Sequence, residues 1–213
     1  MIRVTKSLNV PLSLSTTKAY DGDDVKQQLK EDHHKKCYLC ERIRHTDFQV
    51  EHHKSKENYP ELLQDWNNLF WSCAYCNGKK QHYFDDILHP ATMNVEEEIK
   101  HTMDITHKQA LFTPLVDTEE HRRTCELLDR LHNGTRKLRT IKEESFIEYV
   151  MGIINNFYRL VDKYLSIPNE ENSMLVREEL QIEKECLGFK YWIIKSKPQL
   201  VEAFSDDIVW NKQ

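Results

Sequence analysis

Two C-x-x-C pairs, Cys37-Tyr38-Leu39-Cys40 and Cys73-Ala74-Tyr75-Cys76, constrain this chain more than any other feature of its sequence. Pairs of this spacing a few dozen residues apart are the ligand pattern of a four-cysteine zinc site. Four thiolates delivered by two tight turns can surround one tetrahedral Zn2+ ion, which then staples a segment with too few large apolar residues to fold alone. Such a site has no open coordination position, so this ion is expected to be structural.

Zinc accounts for the cysteines but not for the polar residues around them. Glu51-His52 follows the apolar Phe48 and Val50 and reads as the end of a short strand. Asn68-Leu69-Phe70-Trp71 leads into the second cysteine pair. Asn77 follows the last cysteine where a helix is expected to begin, with Lys79 and Lys80 on its first turn. A carboxylate, an imidazole and an amide oxygen can together hold a hard divalent ion and activate a water beside it.

The pattern resembles the zinc-stapled HNH, or ββα-metal, endonucleases. It reads Cys37-x-x-Cys40, Val50-Glu51-His52, Asn68-Leu69, Cys73-x-x-Cys76-Asn77-x-x-Lys80, about 44 residues in all, with Asn in place of the family's final His, a common substitution there. The fuller phrase Val50-Glu51-His52-His53-Lys54-Ser55-Lys56, followed by Asp65-Trp66-x-Asn68-Leu69, is similar to the HNH subunit of Septu-type anti-phage systems, a group also found with some retrons. The resemblance implies a nuclease in which His52 is the general base, Glu51 and Asn77 hold a catalytic Mg2+ or similar ion, and Asn68 positions His52. Lys80 and Lys79 would hold a neighbouring phosphate. His53 is the alternative base, since some relatives carry consecutive histidines. It also implies a nucleic-acid substrate and an ABC-type ATPase subunit of the PtuA kind as partner. In retron-linked cases a reverse transcriptase with its RNA–DNA product joins them. A freestanding restriction-type HNH nuclease and a zinc knuckle that binds nucleic acid without cutting stay open as alternatives.

Composition bears on these readings. The net charge is −5, and residues 31–82 balance eight Lys/Arg against eight Asp/Glu. That argues against a freestanding nucleic-acid binder and toward a complex. With no apolar run of membrane-spanning length and no signal-like leader, a cytoplasmic protein is expected, where cysteine pairs are metal ligands more often than disulfides.

Only five glycines and six prolines interrupt the chain, which favours helix. The expected fold is α+β, a zinc-stapled ββα unit with an N-terminal arm over 1–90 and a mainly α-helical domain over 91–213. Alternating apolar residues make 1–20 an extended segment. Asp21–Asp24 offers a cap for a helix over 25–36, whose end, His33 to Lys36, is expected to be solvated. Further helices are expected over 94–110, from Thr118 to Asn133-Gly134, over 140–165, and over 172–196 with Pro198 as terminator. Arg130, Arg136, Lys137, Arg139 and Lys142 form a basic run that is either solvated or in contact with a substrate or partner.

Overall fold

The structure is a computed structural model that describes residues 1–43, 47–135, 138–210 and 212. The N-terminal arm is not a strand. Met1, Ile2 and Val4 are buried, and the Val4 N–H donates to the Pro90 carbonyl at 2.9 Å, so the arm wraps its own protein. Lys6 fixes the next stretch by donating to the carbonyls of Trp66 and Leu69, the latter at 2.6 Å. A short helix α1 (Leu12–Thr16) and helix α2 (Asp23–Asp32) follow. Gly22 occupies the cap of α2 with no side-chain bond, while Asp23 and Asp24 sit in the first turn, where negative charge suits the dipole.

Strand β1 (Phe48–His52) pairs antiparallel with β2 (Leu69–Cys73), setting Glu51 opposite Phe70 and His52 opposite Leu69. Single 3-10 turns at Pro60–Leu62 and Trp66–Asn68 lie in the connection. Helix α3 (Ala74–Lys80) leaves directly from β2, so Asn77 sits one turn inside the helix rather than at its start.

The expected helix over 94–110 is a correction. One turn, α4 (Val95–Glu98), gives way to a hairpin of β3 (Ile99–Asp104) and β4 (Gln109–Pro114). Val95, Ile99 and Met103 fall four apart and mimic a helical stripe. The actual period is two, because the polar His101 is also buried between Ile99 and Met103, with Nδ1 donating to the Ile99 carbonyl at 2.8 Å. The Asp104 carboxylate closes the turn by accepting from the His107 N–H at 3.0 Å.

Helices α5 (Glu119–Asn133) and α6 (Ile141–Ser166) match the pattern read from sequence. Thr118 caps α5, Gly134 follows it at φ 80°, and Thr140 with Glu143 forms a capping box on α6. The expected helix over 172–196 is instead two, α7 (Glu170–Glu179) and α8 (Leu187–Lys195). Between them the carbonyls of Ile182 and Lys184 accept from the Lys36 ammonium, the latter at 3.1 Å, rather than from a following turn of helix. Pro198 lies just past the end of α8, as expected, and also opens a further helix, α9 (Pro198–Phe204), at a position where its missing N–H costs nothing.

One contiguous buried cluster joins the arm, the first cysteine pair, β2, the hairpin and helices α5, α6, α8 and α9, so side chains from both sides of residue 90 share it. A smaller cluster of Leu14, Val25, Leu29, Trp66, Leu69 and Trp71 fills the space between α2 and the β1–β2 pair. No helix among the described residues is long and apolar enough to cross a membrane.

His132 lies inside the larger cluster, its ring 5.0, 5.2 and 5.7 Å from those of Phe112, Phe146 and Phe189, with Nδ1 donating to the Leu128 carbonyl. Burial drives its pKa from 6.5 down to about 4. The stability it contributes is complete above pH 6.5 and is lost as the pH falls toward 4. Urea titrations of the wild type and His132→Phe across that window are expected to show a shallower loss of stability in the variant.

Candidate metal centre and the cleft beside it

The cysteines come from two places that the fold brings together. Cys37 and Cys40 lie in a turn closed by the Glu41 N–H donating to the Cys37 carbonyl at 2.8 Å, with Glu41 in a left-handed conformation at φ 59°. The Tyr38 N–H donates to the Trp71 carbonyl at 3.0 Å and ties this turn to β2. Cys73 is the last residue of β2, and Cys76 is in the first turn of α3. All four are buried, and their sulfurs lie within 4.8 Å of one another. A tetrahedron with Zn–S bonds of about 2.3 Å has S–S edges of about 3.8 Å, so modest closure suffices. These cysteines can hold a metal ion such as zinc. Among the described residues no other cluster of His, Cys, Asp and Glu qualifies.

Beside this centre opens a cleft of about 350 Å³ whose walls include Glu51, His52, Lys56 and Asn77. The His52 ring is fixed from two sides. Its Nε2 is 3.1 Å from the Leu63 carbonyl, and the Tyr20 ring meets it edge-on at 4.8 Å. A carbonyl only accepts, so the proton sits on Nε2 and the lone pair on Nδ1. Burial lowers the His52 pKa, which favours the neutral ring. Asn77 donates through Nδ2 to Gln49 Oε1 at 2.8 Å, which leaves its amide oxygen as the atom for a cation. Glu51 is 7% exposed, and its Oε1 is 3.0 Å from the Lys80 ammonium. Burial pushes the Glu51 carboxyl up against the opposing pull of Lys80.

Other residues singled out from sequence lie elsewhere. His53 follows the last residue of β1, and its ring packs apart from the cleft. It is buried against His89 (ring centroids 4.5 Å apart) and Phe70 (5.8 Å), its pKa held down to about 3 by burial. The hydrogen bonds of the Asn68 side chain go to the backbone and not to His52. Its Oδ1 accepts from the Lys54 N–H at 2.7 Å and its Nδ2 donates to the Lys54 carbonyl at 2.9 Å, fixing the backbone two residues beyond His52.

Lys80 is a correction: it is fully buried on Glu51 and the His52 carbonyl, so it does not reach a phosphate at the surface. Lys79 pairs with Glu143 at the start of α6. The His33 to Lys36 stretch is not solvated throughout. His33 is buried, with Nε2 accepting from the Trp71 N–H at 3.3 Å, and Lys36 is buried on the carbonyls already described. Of the basic run, Arg139 donates to the carbonyls of Lys108 (2.6 Å) and Asn133 (3.2 Å), while Arg136 and Lys137 lie outside the described residues.

Two residues of the cleft, Lys56 and Tyr20, were given no role on sequence grounds. Lys56 is exposed at the rim, its Nζ 3.4 Å from the Tyr20 hydroxyl. Its signal was its place four residues after His52. Tyr20 precedes His52 by more than thirty residues and carried no signal. Asp85 accepts from the Ser55 N–H (2.7 Å), the Ser55 hydroxyl (2.8 Å) and Asn58 Nδ2 (2.7 Å), holding the loop that leaves the cleft.

A stretch of 59 residues is 42% identical to the Septu protein PtuB of Bacillus thuringiensis. The match takes in 26% of this chain and spans about a quarter (23%) of the length of that curated relative. No family model matches the chain.

Structural zinc contributes on the order of 10 kcal/mol of folding free energy in small metal-stapled units. Cys76→Ser is therefore expected to abolish zinc binding, read by metal analysis, and to unfold β1, β2 and α3, read by loss of amide protection over residues 48–80.

Proposed function

We propose that this chain is a metal-dependent endonuclease of the HNH type, hydrolysing phosphodiester bonds in nucleic acid as the effector of an anti-phage defence complex. The observation that carries this reading is the convergence of Glu51, His52 and Asn77 on one cleft beside the cysteine cluster, with the His52 lone pair fixed at Nδ1. The similarity to PtuB supports the defence role.

In this mechanism His52 Nδ1 takes a proton from the water that attacks phosphorus, while the bond from phosphorus to the 3′ oxygen breaks. The Leu63 carbonyl and the Tyr20 ring hold the imidazole in place for that transfer. Glu51 and Asn77 would hold Mg2+ or a similar ion, which supplies positive charge against the leaving oxygen when bound. Lys56, exposed at the rim, takes the phosphate-binding role first expected of Lys80. Asn68 acts through the backbone at Lys54 rather than by contact with the imidazole.

The net charge of −5 supplies little general attraction for nucleic acid, which favours action within a complex. The proposed partner is an ABC-type ATPase subunit, joined in a retron context by the reverse transcriptase and its RNA–DNA product.

The test is cleavage of plasmid DNA and of structured RNA by the complex purified from its native operon, with and without Mg2+. His52→Ala is expected to slow cleavage by on the order of 100-fold to 10,000-fold with zinc content unchanged. Cleavage that survives His52→Ala would turn the assignment to a binding module. Lys56→Ala is expected to weaken substrate binding and reduce the slope of log affinity against log salt by about 1.

A further inference from the structure

Lys80 ends a seven-residue helix, yet its side chain is fully buried. Its ammonium donates to Glu51 Oε1 at 3.0 Å and to the main-chain oxygen of His52 at 3.0 Å, and Asp85 Oδ1 lies 3.9 Å away. One cationic group thus grips the side chain of one cleft residue and the backbone of the next. The surrounding oxygens, two carboxylates and a carbonyl, are the hard donors that a small cation prefers. An apolar side chain of similar volume would fill this space without the desolvation cost of an ammonium. Packing alone therefore does not account for a lysine here.

We propose that Lys80 is a positioning residue, a tethered cation that sets Glu51 and His52 in register and commits one Glu51 oxygen to itself. The inference rests on the metal-dependent reading of the cleft. Glu51 would then offer a divalent ion only its second oxygen, beside a fixed positive charge, so that the ion would be held loosely enough to exchange. Lys80 itself touches neither water nor substrate, because none of its side chain is exposed. Asp85, 3.9 Å from the ammonium, also clamps Ser55 and Asn58, which links the tethered cation to the loop beyond the cleft.

Removing the ammonium should act on binding and on rate in opposite directions. Glu51 and Asp85 would be left without their shared counter-charge, so a divalent ion should bind more tightly. The Glu51–His52 pair would meanwhile lose its anchor, so cleavage should slow. A merely structural lysine would weaken both together.

The experiment titrates Mn2+ into the zinc-loaded full chain by electron paramagnetic resonance, for the wild type and Lys80→Met, and measures cleavage by both within the complex. The expected result is Mn2+ affinity on the order of tenfold tighter and cleavage on the order of 100-fold slower. Unchanged affinity, or parallel loss of affinity and rate in a variant that keeps its zinc, overturns the assignment of Lys80. A wild type that binds no Mn2+ and cleaves nothing overturns the nuclease reading, and this inference with it. If Lys80→Met does not fold, Glu51→Gln/Lys80→Met decides. Recovery of zinc content and melting temperature in the double variant supports the pairing, and no recovery overturns it.

Discussion

Four sulfurs within 4.8 Å join a turn at residues 37–40 to the junction where β2 becomes α3. That junction fixes the direction of a helix too short to hold itself, and with it the placement of Asn77 and Lys80. Lys80 carries the constraint onward to Glu51 and the His52 backbone. The cleft is therefore held from behind by a chain of contacts that begins at the cysteines. Burial of the cluster keeps those contacts in a setting where charge and hydrogen bonds are strong.

Buried and half-buried lysines do comparable work elsewhere in the protein. Lys6 joins the arm to Trp66 and Leu69, Lys36 joins the end of α2 to the α7–α8 connection, and Lys190 joins α8 to the last residue of α7. In each case a long flexible stem brings an ammonium to main-chain oxygens at the ends of elements or in the connections between them. Each tie thus meets a backbone requirement that loops bring with them when they pack inside. The cost is desolvation, visible in Lys6, whose pKa falls to about 7, and Lys36, whose pKa falls to about 8.

These ties explain what could and could not be read from sequence. The cysteine spacing was legible because metal geometry fixes it, and α5 and α6 were legible because cap and stripe agree. The His33 to Lys36 run looked like a solvated helix end, since nothing local marks residues 182 and 184 as the partners of Lys36. The hairpin over 99–114 was hidden by His101, a polar residue facing inward, which left a spacing of four as the visible period. In the cleft, the motif pointed to Glu51, His52 and Asn77, but His53 packs on Phe70 and His89, partners that nothing in the motif marks. Tyr20 had no local signature at all.

That last residue changes what the motif amounts to as an inherited unit. The segment from Cys37 to Lys80 contains the cysteines and the polar trio, but the ring lying against His52 comes from the arm that runs beneath Trp66 and into α2. Grafted onto another scaffold, the segment would carry its staple and leave the imidazole open on one side. Evolution of this site by recombination would have to move the arm and the motif together.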